Sequence, residues 1–204
     1  MAALELNPID IFILVGAVAI LFCAFFQGIV RQLLYLLASY VALVVATQYH
    51  RPLGLWLGES VPAADEVLMG FSFVVLFLVA FGVMVTANRH ITRSSMVPSV
   101  GSFDNLGGAA VGLVTAYLVL TVSLAIMQFG TRGVWPSHDG VRQATAINID
   151  NSKLAAVVNS QAPVVFGTLK PFLPGGLPSM FTYSATEPIP EIENIKSSRR
   201  ASGG

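Results

Sequence analysis

The sequence predicts an all-α, polytopic membrane protein with four transmembrane helices, followed by a short C-terminal amphipathic helix and a disordered tail. Of the 204 residues, 54% are hydrophobic and 11% are charged, whereas soluble domains carry about 25% charged residues. A bilayer core needs roughly 20 apolar residues per crossing helix. Four windows of that length contain no Asp, Glu, Lys or Arg, namely 11–30, 32–50, 67–88 and 105–131. Helices of a soluble bundle would show a charged solvent face, and these windows show none.

The first two predicted helices share one apolar stretch, residues 11–50, whose single charge is Arg31. As one helix this stretch would be about 60 Å long, twice the thickness of the hydrocarbon core. It must therefore turn, and we predict a tight helical hairpin at Gly28. A re-entrant first segment is the alternative. A cleaved signal peptide is disfavoured because acidic residues, not basic ones, precede the apolar run.

Three domains follow from these windows. Residues 7–130 form the four-helix transmembrane domain, 131–173 an extramembrane segment, and 174–204 a disordered tail with little to bury. Within the second domain, apolar side chains recur with helical spacing, and Pro163 either ends that helix or opens another one. This amphipathic helix lies either on the surface of the bundle or in the plane of the membrane interface; its spaced side chains are Leu154, Val157, Val158 and Gln161.

The orientation in the membrane is predicted from the loops. Four crossings place both termini on one side, and the Lys and Arg counts of the two sides are equal, so they do not decide it. The two shorter loops favour the cytoplasm, which puts the termini on the periplasmic side. Tyr49, Trp56 and Trp135 would then form an aromatic belt at the outer interface.

Small residues recur at intervals of four in two of the predicted helices. Lipid tails are as apolar as leucine, so helices in a bilayer associate largely through close backbone contact at small residues. The second and fourth predicted helices are therefore expected to pack on each other. The residues concerned are Ala38, Ala42 and Ala46 in the second helix and Gly108, Gly112 and Ala116 in the fourth, with Ala24 and Gly28 forming a shorter pair in the first.

Asp104 begins the fourth predicted helix and admits two interpretations. A carboxylate at a helix start caps free N–H groups and favours the positive end of the helix dipole. Alternatively, Asp104 forms an ion pair with Arg31, because both lie near helix starts on the short-loop side. A partly desolvated pair would set the register of the bundle or mark a functional site.

Four features of the sequence occur in a distinctive order. They are Asp10 at the opening of the first helix, the turn QGIVRQL at 27–33, the start DNLGGAAVGL at 104–113, and Ser152-x-Leu154 running into PFLP at 171–174. Together they resemble the CvpA (colicin V production protein) family over residues 7–174. The resemblance implies a multi-pass protein of the bacterial inner membrane that is connected with production or export of colicin V-type toxins and with envelope stress tolerance. The family usually has basic residues where this chain has Gln27 and Asn105.

No enzyme, cofactor or metal site is expected. The sequence lacks G-x-S-x-G, and its three histidines, His50, His90 and His138, fall in different predicted loops. A net charge of zero gives no indication of nucleic acid binding. The expected partners are the lipid bilayer and unidentified membrane proteins, either secretion machinery or further copies of this chain. The predicted role is a scaffold or accessory subunit; a small oligomeric channel or transporter component is the alternative.

Overall fold

The computed structural model describes residues 7–92, 102–133, 139–173 and 176–182. Within these ranges the regular structure is entirely helical. Three of the helices are long and apolar enough to cross a membrane, namely α1, α2 and α3. The elements are α1 Pro8–Gly58, α2 Asp65–Thr92, α3 Ser102–Gly130, α4 Asp139–Asn151, α5 Lys153–Ser160, α6 Ala162–Leu169, a 3-10 turn Lys170–Phe172, and α7 Ser179–Thr182.

The first two predicted helices are joined in the single element α1, which is why three candidate spans are found where four were predicted. The helical backbone is broken at Gly28, where φ is 77° and ψ is 168°. That conformation belongs to a region which is essentially restricted to glycine. We call residues 8–27 the first arm and residues 29–58 the second arm.

Both arms lie along α3. In the first arm, a Cβ on Gly16 would lie 3.2 Å from the Leu120 side chain. In the second arm, Leu43 belongs to the same buried cluster as Leu118 and Val122 of α3. Nearer to Gly28, both arms contact the beginning of α3, because Ala24 of the first arm lies against Gly108 and Ile29 of the second arm donates to Asp104. The two arms therefore run back from Gly28 along the same helix. The turn predicted at Gly28 is therefore the place where α1 folds over.

The start of α1 is fixed by local chemistry. Asn7 is the N-cap, and its side chain accepts a hydrogen bond from a backbone N–H of the first turn. Asp10 reciprocates by accepting from the Asn7 backbone N–H, which completes a capping box. Pro8 occupies the first turn, where its missing N–H would have no helical partner.

α2 packs against the second arm of α1. The Cβ of a residue at Gly54 would lie 3.2 Å from the Met69 side chain. Phe73 is fully buried, and its ring lies 6.0 Å from the His50 ring. The second arm is thus held between α2 and α3.

Helices α4 to α7, together with the 3-10 turn, form a lobe that we call the cap. Pro163 lies in the first turn of α6, so of the two predicted outcomes it opens a second helix. α4 was not predicted, because its polar, charged sequence has no long apolar stretch to distinguish it from a loop. Ala155, Val158 and Phe166 of the cap are buried against the long helices.

The prediction of a disordered tail from residue 174 is wrong for residues 176–182. Met180 and Phe181 are 2% and 3% exposed. The Phe181 ring stacks on Phe166 at 4.5 Å and meets Phe73 edge-on at 5.6 Å. These two side chains bury enough apolar surface to order a short turn that looks hydrophilic in sequence. The rest of the predicted tail, 174–175 and 183–204, lies outside the described residues.

Candidate functional site: two aspartates at opposite ends of the bundle

Asp10 connects the start of α1 to the cap. Its side chain is only 4% exposed. One carboxylate oxygen, Oδ1, accepts hydrogen bonds from the Ser152 hydroxyl at 2.6 Å and from the Leu154 backbone N–H at 3.0 Å. The other oxygen accepts from the Asn7 backbone N–H at 3.3 Å. A single carboxylate thus joins chain segments that are more than 140 residues apart.

Ser152 makes this junction possible because it is also the N-cap of α5. Its hydroxyl oxygen accepts from the Ala155 backbone N–H at 2.9 Å while its proton is donated to Asp10. The Leu154 N–H is one of the donors of the first turn that no helical carbonyl can satisfy. Asp10 and Ser152 therefore together satisfy N–H groups in the first turn of α5. A further bond, from the Asn7 side-chain amide to the Asn148 carbonyl, ties the same point to α4.

Asp104 occupies the equivalent place at the Gly28 end. Its Oδ1 accepts a hydrogen bond from the Ile29 backbone N–H at 2.9 Å, so it caps the first turn of the second arm of α1. A Cβ on Gly28 would collide with this carboxylate. The positive φ and the absent side chain of Gly28 together let Asp104 reach the turn. Asp104 is half-buried.

The ion pair predicted between Arg31 and Asp104 is not formed in this structure. The Arg31 side chain is exposed, and Asp104 contacts a main-chain N–H instead. The physical reason is that the turn leaves an N–H at Ile29 without a helical acceptor, and a nearby carboxylate satisfies it directly. The capping interpretation had the right chemistry, although Asp104 caps a different helix from the one that it begins.

Gly108 and Gly112 pack on the first arm of α1 rather than on the second predicted helix. A Cβ at Gly108 would lie 2.6 Å from the Ala24 carbonyl oxygen, and a Cβ at Gly112 would collide with the Ala24 side chain. The nearest contacts of these glycines are therefore with the first arm, although the second predicted helix also packs on α3, through Leu43 and Gln32. The partner is the shorter small-residue pair, Ala24 and Gly28, because the Gly28 turn brings the first arm closest to α3. The remaining small residues that recur at intervals of four are all buried, namely Ala38, Ala42, Ala46 and Ala116.

One polar contact joins the second arm to α3 inside the bundle. The Gln32 amide donates to the Thr115 hydroxyl at 3.2 Å, and that hydroxyl donates to the Val111 carbonyl at 3.0 Å. Gln32 and Thr115 are both buried. Gln32 belongs to the QGIVRQL stretch, but sequence reasoning gave it no role. An uncharged polar side chain in an apolar helix was the available signal.

A buried arginine anchors α4 to the end of α3. Arg142 is 4% exposed, and it donates to Asp139 at 2.6 Å and to the Thr131 carbonyl at 3.1 Å. The hydrogen bond from Arg142 holds the pKa of Asp139 below its ordinary value. Asp139 also accepts from the Gln143 amide at 2.8 Å. This cluster gives the cap a second polar attachment that the sequence did not reveal.

Each of the two aspartates accepts hydrogen bonding from the main chain and so positions helices. In the described part of the chain, no three His, Cys, Asp or Glu side chains are close enough to hold a metal ion. His50 is buried, with its Nδ1 2.8 Å from the Thr47 carbonyl. His138 lies outside the described residues, as do the side chain of His90 and Trp135 of the predicted aromatic belt.

The family comparison covers both aspartate contacts. A family model described as "Colicin V production protein" matches residues 9–163. The match contains Asp10 with Ser152 and Leu154, and it contains Ile29 with Asp104. Neither the curated proteins nor the solved structures include a match to this chain.

Proposed function

The chain belongs to the colicin V production protein family, and we propose that it supports production or export of colicin V-type toxins and envelope integrity as a scaffold or accessory subunit of the bacterial inner membrane. The observation that carries this proposal is the use of Asp10 and Asp104 to hold main-chain segments together. Carboxylates used in this way give a protein a fixed shape, which is what a scaffold presents to its partners.

The proposed topology has four crossings, with α1 contributing two. Each arm of α1 is long enough to span about 30 Å at 1.5 Å per residue. The break at Gly28 and the contact of both arms with α3 support this interpretation. The two termini then share one side of the membrane, which we propose to be the periplasm.

Reporter fusions test this topology. Alkaline phosphatase joined after Ser137 should be active, because that loop lies on the proposed periplasmic side, and fusion after Ser95 should be silent. Expression of both fusions is verified by immunoblot. Activity after Ser95 with silence after Ser137 would show that the orientation is the reverse of the proposed one. Equal activity at both sites would show that the chain crosses the membrane one time fewer than proposed.

Complementation tests the function. In a colicin V-producing strain that lacks its own family member, this chain should restore toxin release and tolerance of envelope stress. The control is Gly82→Ala, a change at an open site on α2. Normal accumulation of the wild-type chain in the membrane without any restored toxin release or stress tolerance would contradict the proposed function.

The proposed partners are other membrane proteins, reached through the bilayer. α2 presents apolar side chains that the bundle does not cover, which are Phe71, Leu78, Val79 and Val83. Such a face suits lipid or the helix of a neighbouring subunit. Purification in mild detergent, with mass determination and identification of bound proteins, separates self-association from secretion machinery.

A further inference from the structure

The cap reaches deep along the long helices. Tyr117 lies one residue past the midpoint of the 29-residue α3, and its hydroxyl donates to the Val158 carbonyl of α5 at 3.0 Å. In the 3-10 turn, the Phe172 ring lies 5.8 Å from the ring of Tyr40 in the second arm. Tyr40 is about 18 Å from Gly28 along the helix. Both contacts fall near the middle of segments long enough to span a bilayer.

Apolar side chains of the first arm are exposed at this same level. Gly16 contacts Leu120, which lies about one turn of α3 further from Gly28 than Tyr117 does. Beside Gly16, Val15 is 61% exposed, and Phe12 is 48% exposed another turn outward. If lipid covers Val15 and Phe12, then it also surrounds the part of the cap that contacts Tyr117.

The cap covers the second half of α3. In its first half, α3 exposes apolar side chains as far as Val114, which is 56% exposed. Every described residue of α3 after Val114 is buried or half-buried. The buried face of α5 supplies part of this cover, because Ala155 and Val158 pack with Leu120 and Leu124.

The outward surface of α5, α6 and the 3-10 turn exposes apolar side chains, together with the polar residues Ser160, Gln161 and Thr168. Its largest exposed apolar side chains are Val157, Val164 and Phe172. Ser160 satisfies its hydroxyl on the Val157 carbonyl at 2.7 Å. The charges of the segment are Lys153 and Lys170. Lys153 lies at the entrance of the segment, near the headgroups, whereas Lys170 lies two residues before Phe172 and must direct its long side chain away from the middle of the layer.

After the 3-10 turn, the chain runs back toward the end of the bundle at which Asp10 lies. The segment begins beside the start of α1, where Ser152 donates a hydrogen bond to Asp10. Further along, the Phe181 ring contacts Phe73, whose ring contacts His50. His50 is ten residues further from Gly28 than Tyr40, so the chain has moved back by about 15 Å.

We propose that residues 153–173 form a re-entrant, membrane-embedded segment that enters the hydrocarbon layer beside Asp10, reaches its middle at Phe172 and faces acyl chains with Val157, Val164 and Phe172. This inference rests on the proposed membrane placement of α1 and α3. It differs from a helix on the aqueous surface of the bundle and from one in the interface plane, because the contact with Tyr40 lies well below the interface. Non-helical backbone at that depth is tolerated where protein covers it, and Leu173 after the 3-10 turn is buried.

Spin-label accessibility in reconstituted lipid vesicles tests the proposal. The lone cysteine is removed by Cys23→Ala, and single cysteines are introduced as Val164→Cys and Phe172→Cys. Two further labels are references: Val15→Cys for the lipid-facing first arm and Val141→Cys for an exposed position of α4. Oxygen, which partitions into lipid, and a water-soluble nickel chelate are the relaxation agents.

The label at position 164 should show the high oxygen and low nickel accessibility of the label at 15, and the label at 172 should lie at least as deep. Val164 is 65% exposed, so its replacement leaves the core intact and the result does not depend on Phe172→Cys folding. Nickel accessibility at 164 equal to that at 141, with 15 still protected, would overturn the embedded segment alone. Nickel accessibility at 15 would overturn the membrane placement and with it the proposed function.

Discussion

The two ends of the bundle are each held by one aspartate, but the two aspartates work in different surroundings. At the Gly28 end, Asp104 is half-buried and accepts one main-chain hydrogen bond. At the cap end, Asp10 is almost fully buried and accepts three hydrogen bonds, two of them from the cap. The Gly28 end is held mainly by close backbone packing, whereas the cap end combines buried polar contacts with apolar packing.

This difference follows from what each end has to join. At Gly28, the two arms and α3 meet directly, and the absence of side chains at Gly28, Gly108 and Gly112 allows backbone atoms to touch. At the other end, the cap begins at α4, whose sequence is largely polar, so hydrogen bonds that satisfy donors and acceptors are added to the apolar packing of α5 and α6. Steric changes should therefore damage the first end most, and loss of a hydrogen-bond acceptor should damage the second.

The largest effect is expected from Gly108→Ala. The added Cβ would lie 2.6 Å from the Ala24 carbonyl oxygen and 2.9 Å from the Gly28 carbonyl carbon, and neither backbone atom can move aside as a flexible side chain could. Overpacking of this kind costs about 1–3 kcal/mol. Thermal unfolding in detergent should show a clear loss of stability.

Gly82→Ala is the matched control for that substitution. Gly82 is also helical, and a Cβ there would meet nothing within 4 Å. Because alanine favours the helix over glycine, this change should be neutral or stabilise by about 0.5–1 kcal/mol. Equal losses from both alanines would mean that close packing at Gly108 does not hold this end together.

The next largest effect is expected from Asp10→Ala, and it should exceed that of Asp104→Ala. Removing Asp10 leaves the Ser152 hydroxyl and the Leu154 N–H without their acceptor in a buried place, whereas Ile29 near Asp104 has access to solvent. Hydrogen exchange measures this directly: Leu154 and its neighbours in α5 should lose protection in Asp10→Ala.

Asp10→Asn is the conservative comparison, since the amide oxygen can still accept from the cap. It should keep part of the protection that Asp10→Ala loses. If Asp104→Ala proves the more damaging of the two alanine substitutions, the contrast between the two ends is wrong.

The long apolar helices and the Gly28 turn could be predicted from sequence, because charge-free length and a lone glycine act locally. The cap could not be predicted to the same extent. Asp10 and Ser152 are 142 residues apart, and each has a sufficient local explanation as a helix cap. Similarly, Met180 and Phe181 look like isolated apolar residues in a polar tail until Phe73 and Phe166 are placed beside them.

A smaller effect is expected from breaking the hydrogen bond between Gln32 and Thr115, which lies inside the bundle. Gln32→Met and Thr115→Val remove opposite sides of one buried hydrogen bond of 3.2 Å while nearly preserving volume. Hydrogen bonds between membrane helices contribute about 0.6 kcal/mol on average. A double-mutant cycle on unfolding in detergent should give a coupling of that order, and additive single effects would show that the contact adds nothing to the packing of α3.

The smallest effect is expected from Arg31→Ala, which tests whether the Gly28 end depends on charge. Arg31 is exposed, and Asp104 uses its carboxylate on the Ile29 N–H. Removal of the guanidinium should therefore leave thermal stability nearly unchanged, since even an exposed ion pair contributes about 1 kcal/mol or less. Asp104→Asn should also be mild because its amide oxygen can accept the same bond, whereas Asp104→Ala cannot replace it. Measured together, these variants distinguish Asp104 as an acceptor for the Ile29 N–H from Asp104 as the partner of Arg31 in an ion pair. If Arg31→Ala lowers the unfolding temperature as much as Asp104→Ala does, and exchanging the two residues restores it, the two charges interact after all and the Gly28 end is held by electrostatics as well as by packing.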